Sequence, residues 1–76
     1  MLTYKFTIKE NLSDIVLESI LFWGRKFEKQ YPEDNITLLI SDDKDYLGRI
    51  SVFNSKGTVI DLLFIRETPD HHYIIR

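Results

Sequence analysis

Thr58-Val59-Ile60-Asp61-Leu62-Leu63-Phe64-Ile65-Arg66 decides the fold, because it is apolar in both phases of a β-strand. Side chains alternate across a strand, so Ile60, Leu62 and Phe64 are expected on one face and Val59, Leu63 and Ile65 on the other. A strand that is apolar on both sides belongs inside a covered sheet. On its N-terminal side, Asn54-Ser55-Lys56-Gly57 reads as a hairpin turn, with Gly57 supplying the left-handed conformation such a loop needs. On its C-terminal side, Glu67-Thr68-Pro69-Asp70 breaks the strand, and His71 to Arg76 is a short last strand through Tyr73, Ile74 and Ile75.

Further upstream, residues 46 to 54 form a strand with Ile50 and Val52 on one face and Leu47 and Phe53 on the other. Asp42-Asp43-Lys44-Asp45 is the turn before it. Asn35 to Ser41 is a strand with Ile36, Leu38 and Ile40 opposite Leu39. Residues 2 to 9 alternate cleanly, with Leu2, Tyr4, Phe6 and Ile8 against Thr3, Lys5, Thr7 and Lys9.

One helix lies between the first two strands. Asn11 or Ser13 can cap it, Asp14 suits its positive end, and Pro32 stops it. Leu12, Val16, Ile20, Trp23, Phe27 and Tyr31 recur at helical spacing and form its core stripe. Gly24 is a local weakness in it. Leu17 with Leu21, and Ile15 with Phe22, are apolar surplus on its flanks.

The expected architecture is a single α+β domain of order β-α-β-β-β, with a final β. It has a mainly antiparallel sheet and one helix packed on one face. One helix covers one face, so the second face, assigned Leu39, Leu47, Phe53, Val59, Leu63 and Ile65, calls for a second copy, another partner or the chain's own tail. Burying half of a standard patch of about 800 Å² per partner would favour association by roughly 10 kcal/mol before association costs. A chain of 76 residues has thin stability, and self-association is a common supplement. The leading expectation is a non-enzymatic homodimer acting by protein–protein contact, in a regulatory or inhibitor role.

Composition narrows the function classes. There is no cysteine, which removes thiolate catalysis, disulfides and Cys-based zinc sites. The net charge of −2 argues against broad phosphate binding. The aromatic residues Tyr4, Phe6, Trp23 and Phe27 fall on core faces, which argues against nucleic-acid stacking. No apolar run nears the ~20 residues of a membrane span, and the first residues lack a signal peptide's apolar core, so a cytoplasmic protein is expected. The absence of alanine beside ten isoleucines suggests an AT-rich genome, such as a low-GC bacterium or its phage or plasmid.

Charge along the chain is uneven. Residues 33 to 45 carry Glu33, Asp34, Asp42, Asp43 and Asp45 against Lys44 alone. These acids form two rims at opposite ends of one strand, roughly 25 Å apart. A second expectation is therefore an acidic inhibitor or immunity-type protein, with Asp42, Asp43 and Asp45 docking on a basic, nucleic-acid-binding target.

Two short motifs suggest metal. Asp70-His71-His72 resembles the Asp-His-His signature of a metal-dependent phosphoesterase family, which implies a small hydrolase centred on these residues. Neighbouring strand residues point to opposite faces, which separates the two histidines. Asp43-x-Asp45-x-x-Gly48 resembles the start of an EF-hand calcium loop, with Leu47 where an oxygen ligand belongs and Asn54 in place of the closing Glu. No catalytic triad pattern or Gly-rich phosphate loop is present, and no catalytic residue, cofactor or metal ligand is assigned.

Overall fold

A computed structural model describes all residues, 1–76, in the order β1 (Leu2–Phe6), α1 (Asp14–Gln30), β2 (Ile36–Ser41), β3 (Gly48–Phe53), β4 (Val59–Glu67) and β5 (Tyr73–Ile75). The strands form one sheet in sequence order, with β1 parallel to β2 and every other pair antiparallel. A parallel pair needs a crossover, which α1 supplies. The α+β architecture expected from the sequence is the one observed.

Each element starts and stops for a local reason. Ser13 caps α1, its hydroxyl accepting from the Val16 amide at 3.4 Å. Asp14 sits in the first turn and Lys29 in the last, matching the ends of the helix dipole. The Tyr31 amide closes the helix by donating to the Phe27 carbonyl at 2.9 Å, and Pro32 follows. At Gly57 the backbone takes φ 77°, the left-handed turn that glycine allows without strain.

The core is a single layer between helix and sheet. Val16, Ile20 and Phe27 meet Ile36, Leu38 and Ile40 of β2, Ile50 and Val52 of β3, Leu63 and Ile65 of β4, and Ile75 of β5. Leu12, Trp23 and Tyr31 pack against its margin, as the helical stripe requires. The molecule measures 39 × 21 × 17 Å, so its thin dimension holds two layers and no third.

The structure corrects the phase of β4. Starting from the hairpin, Phe53 faces Val59, but the next partner of Val52 is Asp61 rather than Ile60. Ile60 is the extra residue of a β-bulge, which interrupts strict alternation. Beyond the bulge every side chain of β4 changes face. Leu63 and Ile65, expected on the second face, are 6% and 0% exposed in the core. Leu62 and Phe64, expected under the helix, pair with Ser51 and Arg49 on the opposite side. Ile60 stays against the core margin. Leu47 is also corrected: it precedes β3 and packs against the core rather than standing on the second face.

Gly24, the weak helix former in α1, has a packing role. It is buried, and the Tyr4 ring lies where its side chain would be. The glycine is therefore a packing requirement of the α1–β1 contact.

Candidate functional site

The second face of the sheet is uncovered. The C-terminal residues do not fold beneath it, because β5 continues the sheet beside β4, with Ile75 opposite Ile65. Strand register places Thr3 and Lys5 (β1), Thr37, Leu39 and Ser41 (β2), and Arg49, Ser51 and Phe53 (β3) on this open face. The same register adds Val59, Leu62, Phe64 and Arg66 of β4, and Ile74 of β5. Arg76 joins them, since it exchanges both backbone hydrogen bonds with Phe64 and so stands directly opposite it.

Much of this surface is apolar and reaches solvent. Val59 is 52% exposed, Leu62 43% and Ile74 38%, while Leu39, Phe53 and Phe64 are half-buried. At one end, Lys5, Thr37, Leu39, Phe53 and the 54–57 turn line a shallow depression. At the other end Tyr46 leans onto Phe64, ring centroids 4.8 Å apart. The Arg66 guanidinium stacks 4.5 Å from the Tyr46 centroid and 5.8 Å from that of Phe64. Its Nε is covered and has no hydrogen-bond partner.

Charge is segregated between the two sides. Lys5, Arg49, Arg66 and Arg76 occupy the open face, and no Asp or Glu holds a strand position there. The net charge of −2 is thus +4 on this face and −6 over the rest of the chain. The one acid paired with these cations is Asp43, which reaches Arg49 Nε at 4.0 Å from the β2–β3 turn, while Asp45 and Glu67 line a depression with Arg66.

Of the residues singled out from sequence, Leu39, Phe53 and Val59 stand together on the open face. Asp42, Asp43 and Asp45 lie in the adjoining turn. Asp43 accepts from the Asp45 and Tyr46 amides at 2.9 and 3.0 Å, and Asp42 from the Lys9 amide at 3.2 Å. Asp34 likewise accepts from the Asn35 and Ser55 amides at 2.9 and 3.3 Å. Hydrogen bonding from the Ser55 side chain, aided by these amides and by Lys56, holds its carboxyl below the usual range. Much of the acidic rim is therefore committed to holding the chain's own loops.

Leu62, Phe64, Arg66, Arg76 and Tyr46 escaped the sequence reading. The bulge at Ile60 hides the first three, since both phases of β4 are equally apolar. Asp70, His71 and His72 form the β4–β5 turn, where His71 Nδ1 lies 3.4 Å from Glu67 and the His72 amide donates to the Thr68 hydroxyl. No three His, Asp or Glu side chains converge on a common point as a metal site requires. Gly48 opens β3 directly after the Asp43 turn, so the EF-hand-like spacing leads into a strand.

The chain matches no family model, no curated protein and no solved structure. No helix is long and apolar enough to cross a membrane.

Proposed function

We propose that this chain is a non-enzymatic binding protein that docks a larger partner on the open face of its sheet, in a regulatory or inhibitor role. One observation carries the reading: the sheet has a helix on one side only, and its other side displays Leu39, Phe53, Val59, Leu62, Phe64 and Ile74 on a rigid backbone. Exposed apolar side chains interspersed with cations on one face are the form that interaction sites take.

A second copy is a poor occupant. A face-to-face pair related by a twofold axis would set this face of Lys5, Arg49, Arg66 and Arg76 against an identical cationic face, and like-charge juxtaposition costs several kcal/mol. An unlike partner of negative charge complements the face. Docking of a basic target on the acidic rims has less support, because Asp34, Asp42 and Asp43 already hold backbone amides.

The test places a photo-crosslinking phenylalanine analogue at Leu39 or Leu62, and for comparison at Glu18 or Glu28 on the exposed side of α1, in cells that naturally make the protein. Adducts are expected from positions 39 and 62 only. Adducts confined to positions 18 and 28, or none from either set, would overturn the assignment of this face. A doubled-mass adduct from position 39 or 62 would keep the face and replace the unlike partner by a second copy.

A further inference from the structure

We infer that the occupant of the open face is a single-stranded nucleic acid. The inference rests on the docking role of that face and names its partner.

Charge complementarity comes first. An acidic chain has placed four of its ten cations, and none of its twelve carboxylates, at the strand positions of one face. A polyanion is the ligand such a segregation suits, and cations spaced across a sheet follow a backbone of regularly repeated phosphates.

The rings select the single strand. Phe64 stands between Arg49 on β3 and Arg76 just past β5, and the rings of Tyr46 and Phe64 cluster with the Arg66 guanidinium. Phe53 lines the depression at the far end of the face that Lys5 also borders. Rings interleaved with cations on a sheet can stack on bases only if those bases are unpaired, since a duplex hides their faces. Exposed Leu62 adds apolar surface for bases between Phe53 and Phe64, with Val59 beside Phe53 and Ile74 beside Arg66 at the two ends. Five strands span about 19 Å, room for several nucleotides. Tyr4 and Phe6 lie on the core side of β1, Trp23 and Phe27 lie in α1, and the total charge of −2 sums over both sides, so none of these describes the open face.

The experiment is an anisotropy titration of the full chain against fluorescein-labelled dT and rU strands of about fifteen nucleotides, within the roughly 4–16 that small sheet domains cover. A duplex of equal length and polyglutamate serve as comparisons. A single strand, DNA or RNA, is expected to bind at least tenfold more tightly than the duplex. With four cations engaged, log K is expected to fall with log salt at a slope of about −2.8. Arg49→Gln with Arg76→Gln should lower that slope by about 1.4, and Lys5→Gln alone by about 0.7. Tyr46→Leu should weaken binding about tenfold with the slope unchanged, which separates stacking from charge. Trp23 fluorescence confirms that each variant is folded.

No binding up to on the order of 100 µM protein, the weak end of non-specific affinity, would overturn the inference. So would equal affinity for the duplex, or polyglutamate binding as tightly as the oligonucleotides, which would point to an acidic protein. If oligonucleotides fail while crosslinks still form from positions 39 and 62, only the nucleic-acid partner falls. If both fail, the docking face falls with it.

Discussion

The ring of Tyr4 on β1 fills the space above Gly24 of α1, so that the two residues together form the contact of the helix with the edge strand. A Cβ at position 24 would overlap the tyrosine hydroxyl and stand 2.7 Å from Cζ. The hydroxyl also donates to the Leu21 carbonyl at 3.3 Å. Gly24→Ala adds helix propensity worth roughly 1 kcal/mol, but overpacking costs about 1–3 kcal/mol. A net loss of about 1 kcal/mol is expected in urea unfolding followed by Trp23 fluorescence. Combining Gly24→Ala with Tyr4→Phe removes the overlapping oxygen, so the double variant should lose less than the sum of the two single changes. Strict additivity would mean that the ring and the glycine are not in contact.

Burial pushes the Tyr4 hydroxyl above its ordinary value, with Arg25 opposing and Glu28 adding to the shift. A raised folded-state value means that the unfolded chain loses this proton first. Stability is then level below about pH 10 and falls as pH rises from there through the folded value. Urea midpoints measured on either side of pH 10 should drop more steeply for the native protein than for Tyr4→Phe. Parallel profiles would exclude Tyr4 as a source of alkaline instability.

The bulge at Ile60 sets which residues of β4 carry the core. Leu63→Ala should cost about 2–5 kcal/mol, the range for emptying a packed site. Leu62→Ala, on the open face, should cost under about 1 kcal/mol. Uninterrupted alternation from the hairpin would reverse this order, so the pair of urea titrations reads the register directly.

That pair also marks where the sequence was legible. The helix could be read from the spacing of Val16, Ile20 and Phe27, and β2 from Ile36, Leu38 and Ile40, because each has one apolar face. The hairpin was legible through Gly57, whose positive φ few other residues tolerate. β4 was ambiguous because Leu62 with Phe64 and Leu63 with Ile65 are equally suited to a core, and a single inserted residue exchanges them. The open face depended on that choice. Its aromatic and cationic members could not be grouped until Phe64 was known to stand between Arg49 and Arg76.

Asp34 ties the α1–β2 connection to the β3–β4 hairpin through the Asn35 and Ser55 amides. Its carboxyl lies below the ordinary range, chiefly through hydrogen bonding from Ser55. A depressed folded-state value gives stability that is present above the unfolded value near pH 4 and is lost as pH falls through the folded one. Asp34→Asn cannot ionise and should be less stable than the native protein at neutral pH. The difference is expected to close in acid, below about pH 4. A difference that stays constant from neutral pH to acid would show that the charge of Asp34 contributes nothing and that only its shape matters.

His71 is the one non-glycine residue with positive φ, 63°, and it forms the turn that returns β5 alongside β4. Its amide donates to the Thr68 carbonyl at 2.9 Å, and the Thr68 amide to the His72 carbonyl at 2.8 Å, so the backbone fixes this conformation. The imidazole itself is exposed, with Glu67 as its neighbour. If the position is selected by backbone shape, its substitutions should sort by tolerance of the left-handed region rather than by charge or ligating ability. His71→Asn and His71→Gly are expected to hold stability within about 0.5 kcal/mol, while His71→Val should lose about 1–2 kcal/mol. Hydrogen exchange should show the loss of His71→Val first at the amides of Phe64 and Arg76, which β4 and the C-terminal strand exchange. Equal loss for all three variants would assign the role to the imidazole and its Glu67 contact, and would return attention to the Asp70-His71-His72 cluster as a chemical site.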